Sequence, residues 1–494
     1  MRPMVHRRSA YIFVALCFIG TLSMGQRRDD VARYVNAMLA DTPIEEDLRE
    51  LCDEIGGRAS GTMANLRAVE WGMQKFKDAG VRASTDQFTM PGLWLEKNAR
   101  AAVSGALSFE PRIAAMPYSA GTNEDGVTAE LINIGRGTEE DFRWVGNLIQ
   151  DKFILVETEE LVDIDGLFRE YEEAAAIEDR AYAAGVKGIV YMGSRKDILL
   201  YRHNASRGLL NTLPMVSMAR IDAQRCARAL RAGESLTVTL TLDIESGGPY
   251  PLENVIAEIP GGDKKDEIVI IGAHIDSWDL GTGANDNGCN VAMMIDLARQ
   301  LKRLGIVPRR TIRFALWNGE EQGLYGSMGY AQKHAREMDN HVMAMSIDIG
   351  SGRINGFFTG GRPEVYSMTQ KVLEPIRGLG PFESADVPIV GTDNFDFMMH
   401  GVGNLVANHE PQLYGPTYHA ASDTYDKVDL QSLKINSAII AAVTIGFANA
   451  DRIPYARQSR EEIEALVETT DLEVQMRMFG IWDQWIEGKR GRVE

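Results

Sequence analysis

The sequence predicts an α/β protein whose main sheet is mostly parallel, twisted and covered by helices on both faces. Between about residues 251 and 450, apolar strand-like runs alternate with amphipathic helical patterns. This alternation is typical of parallel sheets, because each crossover places a helix on one face of the sheet. Between about residues 120 and 247 the pattern changes to short strands around an alanine-rich helix, which predicts a small inserted β-rich module.

Residues 1–25 are expected to form a cleavable signal segment. Three arginines, Arg2, Arg7 and Arg8, come first. An apolar run from Tyr11 to Leu22 follows, and after it segment 23–25 (SMG) has the small-x-small pattern of a cleavage site. This is the order found in secretory signals. Because the run is shorter than the roughly 20 residues that span a bilayer, we expect an exported protein, periplasmic or secreted, without a membrane anchor after cleavage.

The remaining chain is expected to divide into four parts. These are the first part of the main domain (26–119), the insert (120–247), the main part of the domain (248–455) and a C-terminal helical extension (456–494). The extension opens with SREE, a capping-box pattern, and has to bury Trp482 and Trp485. The three cysteines after residue 25, Cys52, Cys226 and Cys289, are too few for a disulfide framework.

Side chains that can bind a metal follow the predicted strands of the main domain. They come after IVIIGA, RTIRFALW and VMAMSI, in the turn GANDNG and in the loop YGPTYHAASDTYD. Ligand sites in such sheets form at the carboxyl ends of the strands, so we expect these side chains to lie close together. The residues concerned are His274, Asp286, Glu320, Glu321, Asp348 and His419.

Two imidazoles and three carboxylates form a donor set that suits zinc. The five expected ligands are His274, Asp286, Glu321, Asp348 and His419. A single catalytic zinc usually takes three protein ligands, so the count favours two Zn²⁺ ions per chain that share a bridging carboxylate. The expected bridge is Asp286, because it lies in a turn flanked by glycines.

The adjacent pair Glu320–Glu321 is expected to divide two tasks. Glu321 binds metal, whereas Glu320 is free to act as a general base that takes a proton from the attacking water. Asp276 lies two residues after His274 and is expected to accept the second N–H of that imidazole.

Four segments together resemble the co-catalytic zinc exopeptidase family, which includes bacterial leucyl aminopeptidases, glutamate carboxypeptidase II and carboxypeptidase Q. The segments are HIDSWDLGTGANDNG, WNGEEQGLYGS, SIDIG and TYHAASDTYDKVD. HIDSWD followed by a glycine-rich turn is most similar to the carboxypeptidase Q branch. The resemblance covers about residues 30–85 and 250–450, and it implies the zinc exopeptidase fold with a protease-associated domain as the insert.

The resemblance also implies a role for individual residues. His274, Asp286 and Asp348 would hold one zinc, while Asp286, Glu321 and His419 would hold the other, with Glu320 as general base. Tyr418 matches a tyrosine that hydrogen-bonds the developing oxyanion in some relatives. Many relatives have Asp-Asp where this chain has Asp286-Asn287. Because the first carboxylate is the expected bridge, the site is expected to survive this change.

These observations favour an exported di-zinc exopeptidase that acts on short peptides. The net charge of −18 argues against nucleic acid as a partner, which is bound through clustered Lys and Arg. Aminopeptidase, dipeptidase and carboxypeptidase activities remain open, and so does a homodimer through the Trp-bearing extension. A non-catalytic binding protein on the same scaffold is disfavoured because no ligand or base is lost. A single-zinc glutaminyl cyclase is disfavoured by the insert and by the five ligands.

Overall fold

The computed structural model describes residues 29–410 and 414–493, so the predicted signal segment lies outside the described residues. The strands in chain order are β1 (Arg82–Met90), β2 (Leu93–Gly105), β3 (Ile113–Ala115), β4 (Val127–Asn133), β5 (Phe153–Val156), β6 (Gly188–Met192), β7 (Met215–Met218), β8 (Leu236–Gly247), β9 (Tyr250–Ile259), β10 (Lys264–His274), β11 (Arg310–Trp317), β12 (His341–Ser346), β13 (Ile354–Phe358) and β14 (Asn404–His409).

The helices cover both sheets and form the C-terminal end of the described chain. In chain order they are α1 (29–39), α2 (Ile44–Arg49), α3 (Met63–Asp78), α4 (Glu139–Val145), α5 (Ile164–Ala184), α6 (Arg220–Arg231), α7 (Cys289–Arg303), α8 (Tyr325–Lys333), α9 (Pro363–Leu373), α10 (Asn394–Met399), α11 (Tyr414–Thr417), α12 (Leu430–Asn449), α13 (Arg460–Thr469), α14 (Leu472–Met478) and α15 (Trp482–Ile486).

The first sheet has the order β1-β9-β11-β10-β12-β14-β13. Its four central strands, β11, β10, β12 and β14, are parallel, whereas β1, β9 and β13 join antiparallel at the two sides. The predicted α/β class is therefore confirmed, with a parallel centre and antiparallel edges. The parallel centre matters for function because it brings the carboxyl ends of β10, β11 and β12 to one edge.

Both faces of this sheet are covered by helices, as predicted. In β10, Val269 and Ile271 point into a core with α3, α7, α9 and α12. The alternate residues, Ile268 and Ile270, face a second core with α8 and α10. Successive side chains of a strand point to opposite faces, so a strand buried on both sides is apolar at every position. This explains the continuous run IVII in the sequence.

Helix α12 is long and apolar enough to cross a membrane by length and composition, but 67% of its most apolar window is buried inside the protein. It packs against α7, α9 and strands β10 and β11. Its apolar composition is therefore explained by its place in the core of the first lobe.

The second sheet has the order β2-β8-β4-β5-β6-β7-β3 and spans residues 93–247, which we call the second lobe. The chain leaves the first sheet after β1 and returns to it at β9. The second lobe begins earlier than the predicted residue 120, because β2 pairs along its length with β8, from Leu93 opposite Gly247 to Gly105 opposite Leu236. This pairing is non-local, so the local pattern of β2 does not reveal it. The division of the chain into domains stays a prediction.

The C-terminal extension, residues 456–493, is made of short helices and not of one continuous helix. It consists of α13, α14 and α15, with a break at Gly480, where the backbone adopts a φ of 66° that favours glycine. The predicted capping box at Ser459 and Glu462 is present. Trp485 is buried in an apolar cluster with α10, and the guanidinium of Arg460 lies 3.2 Å from the centroid of its ring.

The cysteines Cys52, Cys226 and Cys289 are buried and unpaired. Apolar packing, rather than disulfide bonding, therefore holds the described part of the chain together.

A buried ion pair anchors the extension to the first lobe. Arg490 makes two hydrogen bonds of 2.8 Å to the carboxylate of Asp396, and the two side chains are 2% and 1% exposed. We expect Arg490→Met to lower the free energy of unfolding by about 3–5 kcal/mol, because it leaves a buried carboxylate unpaired. Urea unfolding followed by tryptophan fluorescence measures this change.

Arg377→Met is the matched control for this prediction. The Arg377–Glu374 pair is exposed, so its loss is expected to change the free energy of unfolding by less than about 1 kcal/mol. Equal effects of the two substitutions would show that Arg490 does not anchor the extension.

Candidate metal centre

The predicted ligand and base residues come together at the carboxyl edge of the parallel strands. His274 is the last residue of β10, Glu320 and Glu321 follow β11, and Asp348 follows β12. The turn before α7 and the loop before α12 bring the other two residues to the same edge. All of these side chains are buried or nearly so: His274, Asp286, Glu320, Glu321, Asp348 and His419.

His274 forms one half of the cluster. Its Nε2 lies 2.9 Å from Oδ1 of Asp348 and 3.1 Å from Oδ1 of Asp286. Oε2 of Glu320 lies 3.9 Å from the same nitrogen. One imidazole nitrogen therefore faces three carboxylates, which is an arrangement that can hold a divalent cation.

His419 forms the other half. Its Nε2 lies 2.8 Å from Oε2 of Glu321 and 3.6 Å from Oδ2 of Asp286. Asp286 therefore presents one oxygen to each histidine, with Oδ1 toward His274 and Oδ2 toward His419. This is the geometry expected of a carboxylate that lies between two ions.

Backbone carbonyls fix the orientation of both imidazoles. Nδ1 of His274 lies 3.1 Å from the carbonyl oxygen of Asp276, and Nδ1 of His419 lies 3.3 Å from that of Arg202. A carbonyl oxygen only accepts hydrogen bonds, so Nδ1 of each ring carries the proton. Nε2 of each ring faces the carboxylates and is consequently the nitrogen that can bind a metal.

Asp276 does not make the side-chain contact that the sequence predicts. Its carboxylate lies 3.6 Å from Nδ1 of His274, and the imidazole bonds its backbone carbonyl instead. The carboxylate accepts hydrogen bonds of 3.3 Å from the amides of Glu320 and Glu321 and from the hydroxyl of Ser60. The backbone after β10 turns this side chain toward the neighbouring strand, so Asp276 holds the two glutamates in place.

The buried carboxylates of the cluster would be stabilised by a cation. Burial raises the pKa of Glu320 and Glu321 well above the usual range for glutamate, and neighbouring carboxylates add to the rise. Burial lowers the pKa of His419 to about 4, which keeps its imidazole neutral. Oδ2 of Asp286 and Oε1 of Glu321 are buried without a hydrogen-bond partner among the described residues. Buried oxygens of this kind are unfavourable without compensation, so the donor set fits a divalent metal such as zinc.

The turn that carries Asp286 is held by Asp423, which the sequence did not single out. Its carboxylate accepts hydrogen bonds from the amides of Asn285 (2.7 Å) and Asp286 (3.0 Å). The following peptide bond, Asp286–Asn287, is cis. The side-chain amide of Asn287 donates to the carbonyl of Ile347 at 2.8 Å. An aspartate at this position could not donate this bond, because an ionised carboxylate only accepts. Asn287 therefore has a structural role and is not needed as a metal ligand.

Arg202 of the second lobe ties three parts of the site together. Its guanidinium, 1% exposed, makes two hydrogen bonds of 2.9 and 3.0 Å to Asp279, which follows the HIDSW segment. It also bonds Glu96 of β2 at 2.6 Å. Its backbone N–H donates to the carbonyl of His419 at 2.9 Å, while its own carbonyl accepts from the imidazole. The second lobe therefore helps to place a predicted ligand of the first.

The cluster lies in a cleft of about 410 Å³ whose walls come from the first lobe, the second lobe and the C-terminal extension. Tyr418 lies in this cleft, with its ring stacked 3.7 Å from that of His419. Its hydroxyl is 3.0 Å from the hydroxyl of Tyr171 in α5. Tyr171 and Arg202 were missed from the sequence, because nothing in the second lobe marks its residues as neighbours of the metal ligands.

Comparison with known proteins relates the part of the chain that carries the cluster to a family. The profile of Peptidase family M28 matches residues 254–444, the stretch that carries all six cluster residues. A crystal structure of a peptidase M28 precursor from Shewanella amazonensis superimposes with a TM-score of 0.78 and 25% identity, covering 88% of this chain and 100% of that one. Residues 254–444 of the chain are therefore related to peptidase family M28. This confirms the family resemblance drawn from the four sequence motifs.

Named relatives of this chain include both carboxypeptidases and aminopeptidases. Carboxypeptidase Q of Bos taurus is 27% identical over 420 residues, which cover 83% of this chain and 86% of the relative. Aminopeptidase YwaD of Bacillus subtilis is 23% identical over 423 residues, covering 82% and 85%. A zinc aminopeptidase of known structure from Bacillus subtilis shares the fold, with a TM-score of 0.65 at 21% identity over 84% of this chain and 96% of that one.

Replacing Arg202 tests the link between the second lobe and the cluster. Arg202→Met keeps the two backbone bonds to His419 but removes the guanidinium that anchors this segment to Asp279 and Glu96. Because the segment that orients His419 loses its anchor, we expect zinc binding to weaken by about 10–100-fold. Competition between the protein and a chromophoric chelator measures the affinity. Arg220→Met is the matched control, because Arg220 bonds only backbone carbonyls within the second lobe. Equal zinc affinity of the two variants would contradict the role of Arg202.

Proposed function

We propose that this chain is an exported zinc exopeptidase that hydrolyses short peptides, with two zinc ions per chain. The observation that carries the proposal is the placement of Asp286 between His274 and His419, with one carboxylate oxygen toward each. The five predicted ligands also exceed the three that a single catalytic zinc usually takes from protein.

In this proposal each ion has its own histidine and carboxylate. His274 and Asp348 would hold the first ion, His419 and Glu321 would hold the second, and Asp286 would be shared between them. The bound pair would polarise the scissile carbonyl and lower the pKa of the attacking water. The unpaired oxygens of Asp286 and Glu321 support this assignment, because each would gain a cation as its partner.

Glu320 is the proposed general base. Its carboxylate lies beside the cluster, 3.9 Å from Nε2 of His274, and its side chain is 10% exposed. Asp276 holds its backbone amide, which fixes the carboxylate at the edge of the cleft. There Glu320 can take the proton of the attacking water and pass it to the nitrogen of the leaving amine. The hydroxyl of Tyr418 is the proposed hydrogen-bond donor to the oxyanion.

The names of the relatives support peptide bonds as the substrate. They include carboxypeptidase Q and several aminopeptidases, so the chemistry at the metal is proposed to be common, while the recognised terminus differs. Export is supported by the charge and apolar pattern of residues 1–25 and by a Mycobacterium tuberculosis relative, 26% identical over 441 residues, named a probable lipoprotein aminopeptidase.

Glu320→Gln separates the base from the metal ligands. We expect it to lower kcat by about 10²–10⁴-fold, because an amide cannot accept the proton, while zinc content stays at the wild-type value. The measurement is kcat on a dipeptide together with metal analysis of the same sample. A Glu320→Gln protein that holds zinc and cleaves at the wild-type rate would show that the assigned base is wrong.

Glu321→Ala is the matched variant of the neighbouring residue. Because Glu321 is the proposed ligand, its removal is expected to lower zinc content as well as rate, in contrast to Glu320→Gln. A Glu321→Ala protein with full zinc content would remove Glu321 from the ligand set.

Comparing the cleavage of free, N-blocked and C-blocked peptides shows which peptide terminus the enzyme recognises. We expect cleavage of free di- and tripeptides, and loss of cleavage when one terminus is blocked. Sensitivity to blocking of the amine assigns an aminopeptidase, whereas sensitivity to blocking of the carboxylate assigns a carboxypeptidase. Cleavage of peptides that are blocked at both ends would contradict an exopeptidase.

A further inference from the structure

The C-terminal extension is attached to the loops that carry the metal centre. Nη1 of Arg490 donates to the carbonyl of Gly323 at 3.3 Å, two residues after Glu321. The side-chain oxygen of Gln475 accepts from the amide of Val390 at 3.0 Å, in the loop before α10. The extension lies beyond the M28 match at residues 254–444, so the family profile assigns no task to it.

Phe479 at the end of α14 connects this extension to the second lobe across the cleft. Its ring lies 5.8 Å from that of Tyr171, centroid to centroid. On its other side the ring packs on Gly391, where a Cβ would come within 3.1 Å of the aromatic carbons. Gly391 also has a φ of 105°, which favours glycine. The absence of a side chain at residue 391 makes room for the Phe479 ring.

A series of ring contacts leads from Phe479 to the metal centre. The hydroxyl of Tyr171 is 3.0 Å from that of Tyr418, and the ring of Tyr418 stacks on His419 at 3.7 Å. Tyr171 also lies 4.4 Å from the ring of His203. All of these residues line the cleft that contains the cluster carboxylates. We call the rings of His419, Tyr418, Tyr171, His203 and Phe479 the aromatic wall. It begins at a proposed ligand, His419, and ends on the extension at Phe479.

The wall is mainly apolar where the extension contributes to it, although Gln484 of the extension also lines the cleft. Met478, Phe479 and Ile481 line the cleft from the extension, with Ala174 beside Tyr171 on α5. The charged residue that the extension contributes to the lining, Arg490, is paired with Asp396. An apolar side chain that packs on such a wall removes apolar area from water, at about 25 cal/mol per Å². A charged side chain would lose hydration there without gaining a partner.

We propose that Phe479 is a specificity-determining residue that, with Tyr171, contacts the apolar side chain of the substrate residue next to the scissile bond. The C-terminal extension is then part of the substrate site and not only a structural appendage. This inference rests on the proposed exopeptidase function, because it assigns the wall to the substrate of that reaction.

The test compares four free dipeptides, Leu-Gly, Ala-Gly, Gly-Leu and Gly-Ala, which vary the side chain on either side of the scissile bond. We expect the wild type to prefer leucine over alanine at one of the two positions. Phe479→Ala is expected to reduce that preference about tenfold, by raising KM for the leucine peptide while kcat/KM for the alanine peptide changes less than about twofold. Zinc content is expected to stay at the wild-type value.

Trp482→Ala is the matched control within the extension. Its ring packs beneath Arg477 at 4.8 Å and does not line the cleft, so the leucine-to-alanine ratio is expected to stay at the wild-type value. Phe479→Trp is a second variant, which keeps an aromatic contact but narrows the cleft. It is expected to lower kcat/KM for the leucine peptide more than for the alanine peptide.

Each outcome separates this inference from the proposed function. A wild-type protein loaded with zinc that cleaves none of the dipeptides overturns the proposed function itself. A wild type that cleaves them without preferring leucine overturns the role of the wall. An unchanged leucine-to-alanine ratio of kcat/KM in Phe479→Ala also overturns the role of the wall. If that variant does not fold, an unchanged ratio in Phe479→Trp does so. A Trp482→Ala protein with the same loss of preference as Phe479→Ala overturns the assignment to Phe479.

Discussion

The structure is organised around the cost of burying several carboxylates in one place. Asp286, Glu320, Glu321 and Asp348 lie within a few ångströms of two imidazoles and are largely removed from water. Carboxylates that lie this close in a medium of low polarity are stable in their ionised form only with cations between them. The remaining features of the site follow from this requirement, since each of them orients a charged or ligating group toward the same small volume.

Three supports surround that volume, and they come from different parts of the chain. Asp423 accepts hydrogen bonds from the turn that carries Asp286, and Asp276 accepts them from the amides of the two glutamates. Arg202, which belongs to the second lobe, bonds His419 and Asp279. The second lobe is thus connected to the metal centre through backbone hydrogen bonds and a buried guanidinium. Small shifts of this lobe would change the position of a ligand as well as the shape of the cleft.

Sequence patterns were sufficient to predict the features that depend on residues close together in the chain. The run IVII predicted a strand buried on both faces, and the ends of three such strands located His274, the glutamate pair and Asp348. Contacts between residues that are distant in the chain cannot be recognised from such local patterns. The pairing of β2 with β8, the bond of His419 to Arg202 and the contact of Phe479 with Tyr171 depend on how two lobes and an extension pack. The side-chain direction of Asp276 depended on a backbone turn that its spacing from His274 does not fix.

The most direct test of this account is a zinc titration of protein stripped of metal by a chelator. Calorimetry should give two bound ions per chain, and the temperature of unfolding should rise with zinc, because a ligand that binds only the folded state stabilises it. Binding of one ion or fewer per chain would contradict the claim that the buried carboxylates form a two-metal centre.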